Sequence, residues 1–179
     1  QIYDYVKAYR RPTSGTAWFV SKMSVLLLIS LAQSAFVTIV VIAIGVDVEH
    51  PWLMFGLSTL ASMAFISIVQ MLVTWLGDVG KFIALVVLII QLVTSAGTFP
   101  IELIPSALQK FYGALPMTYS VEAFRAVIST GDMTVLANSA LIITLFTLPC
   151  IVLTYVYFIV KFKQLQKHEQ TIGETFVEA

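Results

Sequence analysis

The stretch MSVLLLISLAQSAFVTIVVIAIGV, residues 23–46, carries no charged side chain from end to end. About 20 apolar residues are enough to take a helix through the ~30 Å hydrocarbon core of a bilayer, so this run spans a membrane by length alone. The pattern recurs over residues 52–76, 82–101 and 133–160, each again free of charge. None presents the polar face that a water-facing helix of this length would show. Backbone groups in lipid must be paired within the protein, which admits only helices and closed barrels. Barrel strands alternate polar and apolar residues over about 10 positions, whereas these runs are longer and evenly apolar. The predicted fold is all-α integral membrane, with four transmembrane helices.

Composition points the same way. Of the 179 residues, 59% are hydrophobic and 11% charged, against about 25% charged in an ordinary soluble domain. The mean hydropathy is +0.93. The formal net charge is zero, without the basic stripe that phosphate backbones require, so no nucleic-acid partner is expected. Cys150 is the single cysteine, which rules out an intramolecular disulfide and reads as an inert thiol inside an apolar run. The chain starts in a polar segment at Gln1, without the pattern of a signal peptide, and reads as the C-terminal piece of a longer protein whose N-terminal part is missing.

The connections set the orientation. Residues 47–51 and 77–81 are short links that force neighbouring spans to run antiparallel. Eight of the ten Lys and Arg residues (Lys7, Arg10, Arg11, Lys22, Lys81, Lys161, Lys163 and Lys167) then fall on one side of the membrane. The other side keeps Lys110 and Arg125, with Asp47 and Glu49 in its first loop. By the positive-inside rule both ends of the chain are cytoplasmic. His50 and His168 fall on opposite sides and cannot share a metal. No cofactor is implied.

Residues 102–132 do not span. Gly97, Pro100, Pro105, Gly113 and Pro116 crowd a short stretch, and proline ends helices by removing an amide donor. Two short helices fit between the breaks, one from Pro105 to about Tyr112 and one from about Tyr119 to Ser129. In the second, Glu122 and Arg125 are three apart and can pair on one face. A helical hairpin this short either dips into the outer leaflet and returns or lies in the interface, and Glu122 with Arg125 serves there as a solvated staple or as part of a gate. Within the spans, Gln33, Gln70 and Gln91 offer two readings, ordinary polar packing between helices or the lining of a substrate path.

Residues 1–22 form a cytoplasmic segment, polar and aromatic at Tyr3, Tyr5 and Tyr9, then Arg10-Arg11-Pro12-Thr13-Ser14-Gly15. It reads either as a surface for a soluble partner or as a basic flank for the first span. Residues 161–179 are a cytoplasmic tail.

The motif Arg10–Gly15, the runs Val69-Gln70-Met71-Leu72-Val73 and Gly77-Asp78-Val79-Gly80-Lys81-Phe82, then Gln91-Leu92-Val93-Thr94-Ser95-Ala96-Gly97-Thr98-Phe99-Pro100 and Leu115-Pro116-Met117-Thr118-Tyr119-Ser120 with Glu122 and Arg125, together resemble the C-terminal membrane domain of the YhgE/Pip family, named for the phage infection protein. That family looks like a branch of the type 2 ABC exporter permeases. The resemblance implies a bacterial plasma-membrane protein whose last four helices are the four spans, with a re-entrant hairpin before the last. It also implies a coupling segment at residues 1–22, in which Tyr5, Tyr9, Arg10 and Arg11 meet a separate ATPase, and a homodimer or heterodimer of permease halves.

Three functions follow from these expectations. The first is a permease-like subunit moving cargo out of the cell. The chain lacks the Gly-x-x-x-x-Gly-Lys-Ser/Thr run that cradles nucleotide phosphates, so the energy must come from a partner. The second is an anchor for a surface region serving envelope assembly, a secretion apparatus or phage adsorption. The third, an enzyme, is not supported. The spans hold no Asp, Glu, Lys, Arg or His, and the outer acids lack metal spacing or a nucleophile–base arrangement.

Overall fold

The computed structural model describes residues 14–46, 48–95 and 112–177. The described elements are helices throughout. They are α1 (Gly15–Ala43), α2 (Pro51–Leu76), α3 (Asp78–Thr94), a 3-10 turn (Tyr112–Ala114), α4 (Pro116–Arg125), a π-helical turn (Ala126–Thr130) and α5 (Met133–Val177). Three of them, α1, α2 and the Met133–Lys167 part of α5, are long and apolar enough to cross a membrane. The described part of α3 has 17 residues, about 26 Å at 1.5 Å per residue. The rest of the expected 82–101 run, from residue 96 onward, lies outside the described residues, as does the first helix expected in the hairpin.

Several boundaries differ from expectation, each for a local reason. α1 begins at Gly15, well before residue 23. Ser14 is its cap, with extended backbone and a hydroxyl accepting from the Ala17 N–H at 3.0 Å, which satisfies one of the amides left free at a helix start. The charge of Lys22 does not stop the helix, because a lysine stem lies along apolar surface while its head reaches water. The link between α2 and α3 is one residue instead of five. Gly77 stands at φ 60, ψ −127, a conformation open in practice only to glycine. The hairpin helix starts at Pro116, whose missing amide costs nothing in a first turn, and passes into the π turn at Ala126. Gly131 (φ 62) closes that turn, its N–H donating to the Ala126 carbonyl at 2.8 Å. Asp132 then caps α5, with Oδ1 accepting from the Thr134 N–H at 2.9 Å and the Val135 N–H at 3.3 Å. α5 does not stop at Val160 but continues as one helix to Val177, with Pro149 inside it.

α2 is the central element and packs against α1, α3, α4 and α5, while α5 also packs against α1 and α4. Consecutive helices α1, α2 and α3 alternate in direction, whereas α2 and α5 run side by side in the same direction, with Met54 near Ile143 at one end and Trp75 near Leu153 at the other. At one end the start of α1 meets the 155–162 stretch of α5, with Trp18 and Phe158 rings 4.9 Å apart. The end of α2 joins them there, Trp75 Nε1 donating to the Leu153 carbonyl at 3.2 Å. At the other end a cluster of Val48, Met54, Leu57, Ala64, Ala123, Val127 and Ile143 packs the first link, α2, α4 with its π turn, and α5 together.

The interior is small and polar, and the outside is apolar. Along α1, Ser30, Ser34 and Thr38 are buried while Leu28, Phe36 and Ile39 are about two-thirds exposed (65%, 68% and 66%). In lipid the hydrophobic effect does not sort large apolar residues inward, and small residues at the seams let helices approach closely. A soluble bundle would show the reverse.

Candidate functional site

Of the three glutamines, Gln70 on α2 and Gln91 on α3 turn inward and are buried, at 5% and 2% exposure. Gln33 is exposed on α1, away from the face that buries Ser30 and Ser34. Gln70 is satisfied locally, its Nε2 donating to Thr74 Oγ1 at 3.1 Å. The Gln91 Oε1 atom is buried without a hydrogen-bond partner, and so are the hydroxyls of Ser30, Thr38, Ser58 and Ser67. A helical hydroxyl can turn onto the carbonyl four residues back, as Ser34, Thr59, Thr94 and Ser120 do here. An amide oxygen has no such recourse, since it only accepts and needs a donor from elsewhere. Gln91 and Trp18, whose buried indole N–H also lacks a partner, are therefore the most demanding polar groups among the buried ones. Counting residues from Gly77 at 1.5 Å each, Gln70 and Gln91 stand about 10 Å apart along the bundle axis.

The second group surrounds α4. Pro116 opens the helix and is buried. Thr118 and Ser120 on its first two turns are buried too, and α4 packs against α2, α3 and α5. Glu122 is half-buried and its carboxylate accepts from the Tyr112 hydroxyl at 3.1 Å. Arg125, the partner expected from the spacing, stands one turn further along the same helix, in the last turn of α4. Burial, ahead of the Glu122 hydrogen bond, holds the Tyr112 phenol above its usual range, because both disfavour the phenolate. Tyr119 fastens the same turn, its hydroxyl donating to the Gly113 carbonyl at 2.8 Å. Gly97, Pro100 and Pro105 lie outside the described residues, as do Tyr5, Tyr9, Arg10 and Arg11.

The third group was not found by sequence reasoning. It is the close packing at the Gly77 end. A Cβ added to Gly80 would lie 2.6 Å from the Leu72 carbonyl carbon and closer still to its oxygen, so the first turn of α3 rests directly on the backbone of α2. Lys81 pairs with Asp78 at 2.8 Å on that turn and holds the carboxyl below its ordinary value. The Gly80 signal lay in Gly-Asp-Val-Gly, which a sequence reading assigns to a loop.

Comparison with known proteins places this geometry. Residues 5–129 match the ABC-2 type transporter family. The chain belongs to that family, and it is a multi-pass membrane domain of a transporter class rather than of an enzyme class. It is also 40% identical over 174 residues, 97% of its length, to YhgE of Bacillus subtilis strain 168, an uncharacterized protein. The resemblance to the YhgE/Pip branch thus holds over nearly the whole chain, which spans 22% of the length of that relative. No solved structure matches the chain significantly.

Proposed function

We propose that this chain is the permease portion of an ABC-type exporter, in which a separate ATPase docks on residues 1–22 and drives cargo out of the cell. The observation that carries the gating part of this reading is the placement of α4. The Tyr119 ring near its start lies 6.4 Å from Phe146, about 20 Å along α5 from Met133 at 1.5 Å per residue. Its far end reaches Gly131, where an added Cβ would come within 4.0 Å of Glu49 in the first link. A helix rising from that depth to the level of the links is what the returning arm of a re-entrant hairpin requires. On this reading α3 continues past Thr94 to complete a fourth crossing, and Gly97, Pro100 and Pro105 turn the chain into the hairpin.

The orientation keeps both ends of the chain in the cytoplasm of a bacterial cell. The Gly77 end of the bundle, which gathers the start of α1, the start of α3 and the 155–162 stretch of α5, is the basic end, with Lys22, Lys81 and Lys161. Two permease halves pair, and Gln33, exposed on α1, faces the path between them. Gln91 offers its unpartnered oxygen to a donor on the cargo or to water.

Because the chain is only 22% of the length of its relative, a second reading has its own support. The membrane domain would anchor a large surface region used in envelope assembly, secretion or phage adsorption. Purification of the full-length protein in mild detergent separates the two. A stoichiometric nucleotide-hydrolysing subunit in the eluate is expected from the export reading. Its absence, with an envelope or secretion component in its place, would favour the anchor.

A further inference from the structure

We propose that α5 carries movement of the segment before α1 through the bundle to α4, with Gly15 and Trp18 as the positioning residues at the receiving end. The inference rests on the export reading, in which an ATPase acts on residues 1–22. Its physical basis is the joint between α1 and α5. A Cβ at Gly15 would meet the Ile159 Cα at 3.1 Å, the Phe158 carbonyl oxygen at 3.3 Å and the Phe162 Cβ at 3.3 Å. The first residue of α1 is thus seated on the backbone of α5, and no side chain lies between them. One turn on, the Trp18 ring stands edge-on to Phe158, which is fully buried, and Phe19 lies 5.2 Å from Tyr155. Ser14 caps the helix through the Ala17 amide, so a displacement of the chain at residue 14 enters α1 directly. Close-packed contacts of this kind transmit a shift rather than absorb it.

At its other end α5 holds the hairpin arm. α4 rests chiefly on α5 and only lightly on α2 and α3. Ile143 is fully buried in the cluster with Ala123 and Val127, and Phe146 faces Tyr119. From Phe146 to Phe158 is one continuous helix, about 18 Å long. Pro149 interrupts its amide ladder, but Thr147 and Thr154 on either side donate back to the Ile143 and Cys150 carbonyls. The rod therefore links the joint to α4 with a single defined weak point.

The test uses the full-length protein with Cys150→Ala, in nanodiscs with its ATPase. Gly15→Cys with Phe162→Cys should form a disulfide under mild oxidant, because the Cβ separation is close to the ~3.8 Å of such a bond. Failure to form it would overturn the inference whatever the fate of the export reading. The second readout is the nucleotide-dependent change in labelling of Ser129→Cys, on the hairpin, by an impermeant thiol reagent. The oxidised cross-link should leave that change within about twofold of wild type, since the joined parts move as one body. Gly15→Leu, which wedges α1 off α5, should reduce it by about tenfold while the ATPase still copurifies, an effect within the range seen on coupling paths. If Gly15→Leu does not accumulate, Phe158→Ala, which empties the joint, should give the same loss. A cross-link that abolishes the response, or a wedge that leaves it whole, would refute transmission through α5. A wild type with neither ATPase nor response would instead bring down the export reading, and the transmission role with it, while the disulfide still reports on the joint.

Discussion

Gly80→Ala should destabilise the protein even though it removes a glycine from a helix. An exposed helical Gly→Ala exchange normally stabilises by about 0.5–1 kcal/mol, since alanine loses less backbone entropy. At Gly80 the new methyl would stand 2.6 Å from the Leu72 carbonyl carbon, with its oxygen nearer and the Leu76 Cβ at 3.1 Å. Two of these are backbone atoms that cannot rotate away. α2 and α3 are joined through Gly77 alone, so the first turn of α3 must lift by nearly 1 Å against that link. Overpacking of this kind costs about 1–3 kcal/mol, and the absence of a soft neighbour puts the cost near the upper end. The net expectation is a loss of about 2 kcal/mol, roughly thirtyfold in the folded-to-unfolded ratio. Gly56 supplies the control. It lies within α2, and an added Cβ there meets nothing within 4 Å, so Gly56→Ala should be neutral or stabilising by up to about 1 kcal/mol. Both are measured by denaturant unfolding in detergent micelles, followed by tryptophan fluorescence. A Gly80→Ala protein within about 0.5 kcal/mol of wild type, or two variants shifted in the same direction, would refute the backbone contact at that corner.

Three further outcomes are expected. Gln91→Leu should raise unfolding stability by about 1–2 kcal/mol, because it removes a buried acceptor without a partner; reduced transport in the same variant would tie that oxygen to cargo, and a destabilised variant would show that it has a partner after all. The Asp132 carboxyl is held below its ordinary value of 3.8 by the Thr134 hydroxyl first and then by the Val135 and Thr134 amides. Its stabilising effect is thus full above that value and fades as pH falls through the lower folded one; an acid titration of unfolding should be flatter for Asp132→Asn, and identical slopes would count against the cap. In a Cys150→Ala background, single cysteines at the exposed Glu49 and Ser129 should react with an impermeant reagent added outside intact cells, and one at Gln164 should not; the opposite labelling would invert the orientation.

Much of the architecture was legible because charge is costly in hydrocarbon. Runs without Asp, Glu, Lys or Arg marked α1, α2 and α5 without any knowledge of their packing. The helices run past the ends of those runs, where charge is a poor guide. Lys22 is inside α1 because its head reaches out of the helix, and Lys161 does not end α5 because a helix leaving a membrane has no reason to stop at the first lysine. Proline at Pro116 was read as a break when its position makes it a first-turn residue. The contact of Tyr112 with Glu122 was not legible because spacing reports only on neighbours along one helix, and Tyr112 arrives from the preceding turn.

The sequence by itself determined that this chain lives in lipid, that it is helical, and to which family of transporters it belongs. These follow from solvation, which acts residue by residue and needs no knowledge of partners, and from motifs that survive as strings. Only the tertiary structure decided which faces meet. It turned Gln70 and Gln91 inward and Gln33 outward, seated Gly15 on α5 and Gly80 on α2, and leaned α4 on α5. In lipid a large apolar side chain gains nothing by turning inward, so which pairs of faces meet is set by how closely two backbones can approach and by where polar groups find shelter from hydrocarbon. That depends on pairs of residues far apart in the chain, and no local pattern records it.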